Sequence, residues 1–157
     1  RCLTDNYAWL VHGNGQTALI DALQVRIGAY AGFMEAMEIR KAAAELRAIW
    51  VLGNEYLQAA APWSTFKTDE AKAAMQVRLG LNLIRLYAVL SQPFIPFASD
   101  TMLAAMRTSD RSWPDDAEAA LRALPPGHAF DVPEVMFAKI SDESREEWQE
   151  RFRGVRD

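Results

Sequence analysis

The stretch GNEYLQAAAPWSTFKTD, residues 53–69, decides the fold, because it is where the longest helix-period segment runs into a Pro-Trp pair and stops. Upstream of the stop, Leu46, Ile49, Trp50, Gly53 and Leu57 recur at i, i+3, i+4, i+7 and i+11, one face of a helix. Arg40, Lys41, Glu45, Arg47 and Glu55 occupy the other face, and the spacing predicts a helix over residues 34–60. Pro62 ends it, since proline has no N–H and its ring collides with the preceding turn. Trp63 therefore stands at a helix end, and two roles are open to it. It is either buried between helices or displayed to a partner.

Downstream, Thr68 or Asp69 can cap a helix that runs to about Ser91. This segment is apolar at Val77, Leu81, Ile84 and Ala88, and again at Leu79, Leu83, Leu86 and Leu90. Two apolar faces imply a helix buried between neighbours. Pro93 and Pro96 interrupt the pattern, and residues 97–106 resume it with Met102, Leu103 and Met106 inward. A further short helix is expected after Pro114, with Asp115 and Asp116 complementing its dipole. LPPGHAFDVP then reads as a loop. Finally, Ser141 caps an acidic-to-basic helix over residues 142–153 whose inward residues are expected to be Trp148 and Phe152.

Toward the N-terminus, Leu23, Ile27 and Tyr30 give a short helix weakened by Gly28 and Gly32. Before it, CLTDNYAWLVHGNGQTALIDA has a different texture. Tyr7 to Val11 is one apolar run, residues 12–15 supply turn chemistry, and Thr17 to Ile20 is a second run, the pattern of a β-hairpin. The expected fold class is thus all-α, a helical bundle with a short N-terminal β-hairpin. The expected division is a hairpin segment over residues 1–22 and a bundle over residues 23–157.

Composition bounds the function. Half of the 157 residues are apolar, enough chain for one domain with a real core. A formal net charge of -4 argues against gripping nucleic acid by bulk electrostatics, so any such contact must be local. The lone Cys2 supports neither a disulfide framework nor a multi-thiolate zinc site, which fits a cytoplasmic protein. No apolar run reaches membrane-spanning length, and no membrane partner is expected. The chain opens at Arg1 and reads as a fragment. His12 and His128 stand far apart, outside any HxxxH or HxH spacing, so no metal site is expected. Neither a GxxxxGK[ST] loop nor a GxSxG elbow is present, and no catalytic residue is assigned. Glu143, Glu146, Glu147 and Glu150 alternate with Arg145 and Arg151 at helical spacing, the pattern of a solvated face.

One ordered set of motifs goes further. AIWVLGNEYLQAAAPWSTFKTD, followed by LNLIRLYAVLSQPFIPFAS and the late FAKISDESREEW, resembles the C-terminal anticodon-binding domain of bacterial methionyl-tRNA synthetases. The match rests on Asn54 and Tyr56, the Pro62-Trp63 pair, Lys67, and the Pro93/Pro96 break, and it covers roughly residues 22–157. The resemblance implies recognition of a tRNA anticodon loop reading CAU, with Trp63 stacking on an unpaired base. Stacking suits single-stranded loops, which are read by aromatic faces and edge hydrogen bonds rather than by a basic surface. Asn54 is expected either to orient the Pro62 loop or to offer its amide to a base. Lys67, Arg40 and Lys41 are candidates for phosphate contacts. The synthetases' ATP-binding HIGH and KMSKS motifs are absent from the chain, so no cofactor is expected here, and the partners implied are the tRNA and the parent's catalytic domain.

Two departures complete the reading. The family's first helix, with an Asn and an Arg that touch anticodon bases, has no matching segment here. In its place, residues 2–22 resemble the N-terminal hairpin of glyoxalase II-type metallohydrolases, whose HxHxDH ligand motif is absent. The expectation is a junction near residue 22 and an exposed apolar groove on the long helix. A helical protein-interaction module is the alternative function, and a metallohydrolase remnant the third.

Overall fold

Helical periodicity governs the described part of the chain, and the sequence signals for where helices stop are weaker than those for where they run. The computed structural model describes residues 16–154. They form α1 (Gln16–Glu35), α2 (Ile39–Ala60), α3 (Pro62–Thr65), α4 (Glu70–Ser91), α5 (Pro96–Ala105), α6 (Ala117–Ala120) and α7 (Asp142–Arg151), with no strand among the described residues. None of these helices is long and apolar enough to cross a membrane.

The expected hairpin does not survive. Its second strand, residues 17–20, lies inside α1, a continuous helix of 20 residues with no break at residue 22. Leu19 is buried and extends the Leu23, Ile27 and Tyr30 face toward the N-terminus, so the apolar positions recur at helical rather than strand period. The first strand and the turn, residues 7–15, lie outside the described residues.

The helix expected over residues 34–60 is likewise interrupted. Met37 adopts φ 58°, the Met37 N–H donates to the Met34 carbonyl at 3.1 Å, and the Glu38 N–H donates to the Phe33 carbonyl at 2.8 Å. That pair of bonds is a Schellman ending, usually built on glycine. It folds α1 back along α2, and α2 starts at Ile39.

The core is the seam between α1, α2 and α4. Leu23, Ile27 and Tyr30 meet Leu46 and Ile49 of α2 and Leu79, Leu83, Leu86 and Leu90 of α4. The Tyr30 hydroxyl donates to the Leu90 carbonyl at 2.8 Å, closing one of the unpaired carbonyls at the end of α4, and burial pushes its pKa up to about 12. Its ring stacks on Trp113, with centroids 5.5 Å apart. The apolar face of α2, expected to be an open groove, is covered by α1 and α4. Trp50, expected on that face, stands at its edge and is 37% exposed.

The α2/α4 approach is close because it is built on glycine. A Cβ at Gly53 would lie 1.5 Å from the Tyr87 hydroxyl oxygen, and one at Gly80 would lie 3.2 Å from Leu57 Cδ2. Two amide side chains tie the smaller elements to the bundle. Gln24 accepts from the Ala117 N–H at 2.8 Å and so holds the start of α6, while Asn82 accepts from the Leu124 N–H at 2.8 Å.

The C-terminal part departs from expectation in one respect. Ser141 caps α7 as read, its hydroxyl accepting from the Ser144 N–H at 3.1 Å. Trp148 and Phe152 are not inward, however, but 46% and 73% exposed. α7 carries charge nearly all round, so it has no apolar stripe wide enough to fix it to the bundle.

Candidate nucleic-acid interface

The end of α2 is where the chain turns a rigid corner. Ala61 occupies the left-handed region, φ 43° and ψ 60°, and its N–H donates to the Leu57 carbonyl at 3.0 Å, a helix ending of the αL type. Helix ends leave carbonyls without partners. Here the Ala60 carbonyl accepts twice, from the Thr65 hydroxyl at 3.1 Å and from Gln76 Nε2 at 3.0 Å. Gln76 lies on α4 and is buried, so the corner is bolted to the bundle.

Beyond the corner the backbone is bonded residue by residue. The Ser64 and Thr65 N–H groups donate to the Ala61 carbonyl at 2.9 and 3.0 Å, and the Phe66 N–H to the Pro62 carbonyl at 2.9 Å. Pro62 and Thr65 face inward and are half-buried. Three and four residues apart on such a turn means the same side, so Trp63, Phe66 and Lys67 face outward together. Trp63 is 57% exposed and Phe66 60%. Asp69 then caps α4, accepting from the Lys72 N–H at 2.9 Å.

The residues singled out in the sequence separate into two groups. Pro62, Trp63 and Lys67 share this corner. Asn54 lies nine residues earlier on α2, about 14 Å along the axis at ~1.5 Å per residue. Its side chain is exposed and makes no hydrogen bond among the described residues, so it does not orient the Pro62 loop. Arg40 stands at the far end of α2, about 30 Å along the axis from the helix end at Ala60 at ~1.5 Å per residue, beside an open hollow lined by Met37, Ile39 and Ala44. The geometry does not bring it to Trp63.

Three residues of the corner escaped the sequence reading. Phe66 was legible in principle, three positions after Trp63 in an outward turn. Thr65 and Gln76 were not, because their task depends on where α4 crosses the end of α2.

Elsewhere the polar groups serve the fold. His128 Nε2 sits 2.6 Å from the Met106 carbonyl. No group of three or more metal-capable side chains occurs among the described residues. Buried Arg85 pairs with Asp110, whose pKa is held below the usual carboxylate range first by the Ser112 hydroxyl and N–H, with Arg85 adding to it. Arg107 and Asp131 form a two-bonded pair at 2.8 and 2.6 Å that holds each in its charged form.

A protein-family model, the anticodon-binding domain of methionyl tRNA ligase, matches residues 10–157. The chain belongs to that family. The methionine–tRNA ligase of Paracoccus denitrificans is 76% identical over 145 residues, 92% of this chain and 25% of the ligase. That of Ruegeria sp. TM1040 is 70% identical over 144 residues, and that of Dinoroseobacter shibae 65% over 146, with the same share of this chain to within a percent. The chain thus spans about a quarter of the length of the curated ligases it matches. The glyoxalase II resemblance of residues 2–22 finds no support. The ligase-family model takes in residues from 10 onward, and residues 16–22 fold as the first turns of α1.

Proposed function

We propose that this anticodon-binding domain reads the anticodon loop of a tRNA, bearing CAU, at the corner between α2 and α4. The observation that carries the reading is Trp63, a large aromatic left more than half exposed on a turn bolted to the core by Thr65 and Gln76. A turn fixed before binding lowers the ordering cost when a base stacks on its aromatic. Pro62 fixes the direction in which the ring leaves the helix. Lys67, one turn on and without an ion-pair partner among the described residues, takes a phosphate. Asn54, with a free amide some distance up α2, serves a different nucleotide of the loop from the one on Trp63. Arg40 belongs to no part of this site. ATP-dependent attachment of methionine falls to the rest of the parent ligase, and no cofactor is assigned to this chain.

The catalytic part of the parent ligase is the second partner. Phe97, Val135 and Phe137 line a hollow of about 380 Å³ and are all more than half exposed, a concentration of apolar surface that suits contact with another protein domain.

Fluorescence-anisotropy titration of a labelled CAU stem-loop, against one with the anticodon scrambled, tests the RNA reading. The expected result is a preference for CAU that Trp63→Ala abolishes. Equal binding of both RNAs, unchanged in the variant, refutes it.

A further inference from the structure

We propose that Phe66 is a second base platform, holding the nucleotide next to the one stacked on Trp63; this rests on the RNA reading above. Single exposed aromatics are ordinary on protein surfaces and need no explanation. Two within one turn, on the same side and both more than half exposed, are not ordinary. The helical hydrogen bonds from residues 61 to 66 fix their relative position, with Cβ atoms about 5–6 Å apart as for any i, i+3 pair. Neither ring is in contact with another aromatic ring among the described residues, so neither has its face taken by the other. Thr65, between them in sequence, points the opposite way and spends its hydroxyl on the Ala60 carbonyl.

Charge strengthens the case. With a net charge of -4 the domain gains little from long-range attraction to RNA. Local contacts, stacking foremost, then have to supply the binding, and one stacked base contributes on the order of ten- to a hundred-fold in affinity. A second platform beside the first supplies a second such factor. Lys67, adjacent to Phe66 and one turn after Trp63, stands where the phosphate joining two consecutive stacked nucleotides would pass. The ligand is therefore a pair of unpaired, consecutive RNA bases rather than a single flipped one.

The test uses the full chain and a CAU stem-loop with 2-aminopurine placed at successive loop positions, comparing Phe66→Leu, Phe66→Tyr and Trp63→Ala. Leucine keeps the apolar bulk and removes the ring; tyrosine restores it. The expected result is a roughly tenfold loss of affinity in Phe66→Leu, full recovery in Phe66→Tyr, and loss of quenching at the loop position adjacent to the one that Trp63→Ala affects. If Trp63→Ala abolishes CAU preference while Phe66→Leu leaves affinity and the quenching pattern untouched, the second platform is overturned and the RNA reading stands. If neither variant alters binding, both fall. Phe66 is exposed, so its variants fold, and matching far-ultraviolet circular dichroism spectra confirm that each comparison is between folded proteins.

Discussion

Gly53→Ala probes the seam that aims the candidate interface. The added Cβ would lie 1.5 Å from the Tyr87 hydroxyl oxygen, 2.8 Å from its Cζ and 3.3 Å from Leu83 Cδ1. Tyr87 is half-buried and packed against the core cluster, and burial pushes its pKa well above the ordinary tyrosine range. Forcing a methyl into such a contact costs about 1–3 kcal/mol. Replacing a helical glycine returns about 1 kcal/mol of propensity. The expected outcome is a net loss of about 1 kcal/mol, roughly 3 °C in Tm for a domain of this length. Tyr87→Phe removes the nearest atom and a buried hydroxyl that lies against the Gly53 backbone without a well-formed hydrogen bond. Alone it should be neutral or slightly stabilising. In that background the penalty of Gly53→Ala should shrink by about 1 kcal/mol, a coupling that urea titrations of the four proteins resolve. A stabilised Gly53→Ala, or a penalty indifferent to Tyr87→Phe, refutes the close approach of α2 and α4.

Three further outcomes follow from the same structure. Ala61→Gly relieves a left-handed alanine, about 1–2 kcal/mol, against about 0.4–1 kcal/mol of added freedom in the unfolded chain, so thermal melts should show a small gain. Gln76→Leu and Thr65→Val should each cost at most about 1 kcal/mol while the other donor serves the Ala60 carbonyl, and their combination should cost more than the sum because that carbonyl is then orphaned. Asp110 has a folded pKa below its unfolded value, so its contribution is complete above roughly pH 4 and is lost as pH falls through the folded value. Thermal melts between pH 6 and pH 2 should therefore show the gap between the unaltered protein and Asp110→Asn narrowing with acid.

Helix interiors were legible because burial imposes its period on the sequence: Leu79, Leu83, Leu86 and Leu90 predict α4, and they are its buried face. Helix ends were legible only where the signal is chemical and local. Pro62, Asp69 and Ser141 mark ends or caps that the structure contains. The break at Met37 carries no such mark. Left-handed endings ordinarily advertise themselves by glycine, and here Met37, Ala61 and Arg107 take that conformation instead. The packing of the helices that these turns join, α1 on α2 at Met37 above all, offsets the strain, and a single sequence does not display that packing. The hairpin was misread for a related reason. Gly13, Asn14 and Gly15 are turn formers, and Thr17 to Ile20 is too short for helix and strand periods to differ. Only its continuity with the Leu23 face distinguishes them. At the candidate interface, Trp63 was legible as an aromatic at a forced stop, whereas Gln76 required knowledge of which α4 residue faces the end of α2.

The charges around the corner decide how RNA should approach it, and that has a measurable consequence. The C-terminal end of α2 carries the negative pole of the helix, and Asp69 and Glu70 stand at the start of α4. Phosphates are therefore repelled from most of the corner, and bases with no net charge are not. Lys67 is an exposed cation on the Trp63 side. If it neutralises one phosphate of a single-stranded loop, the slope of log K against log salt should change by roughly 0.7 on Lys67→Ala. Arg40→Ala, about 30 Å away along α2, should leave the slope at the corner unaltered if a stem-loop of only the anticodon arm is the ligand. A steep slope that Lys67→Ala does not reduce would mean that backbone contacts elsewhere dominate, and that stacking at Trp63 is not what holds the RNA.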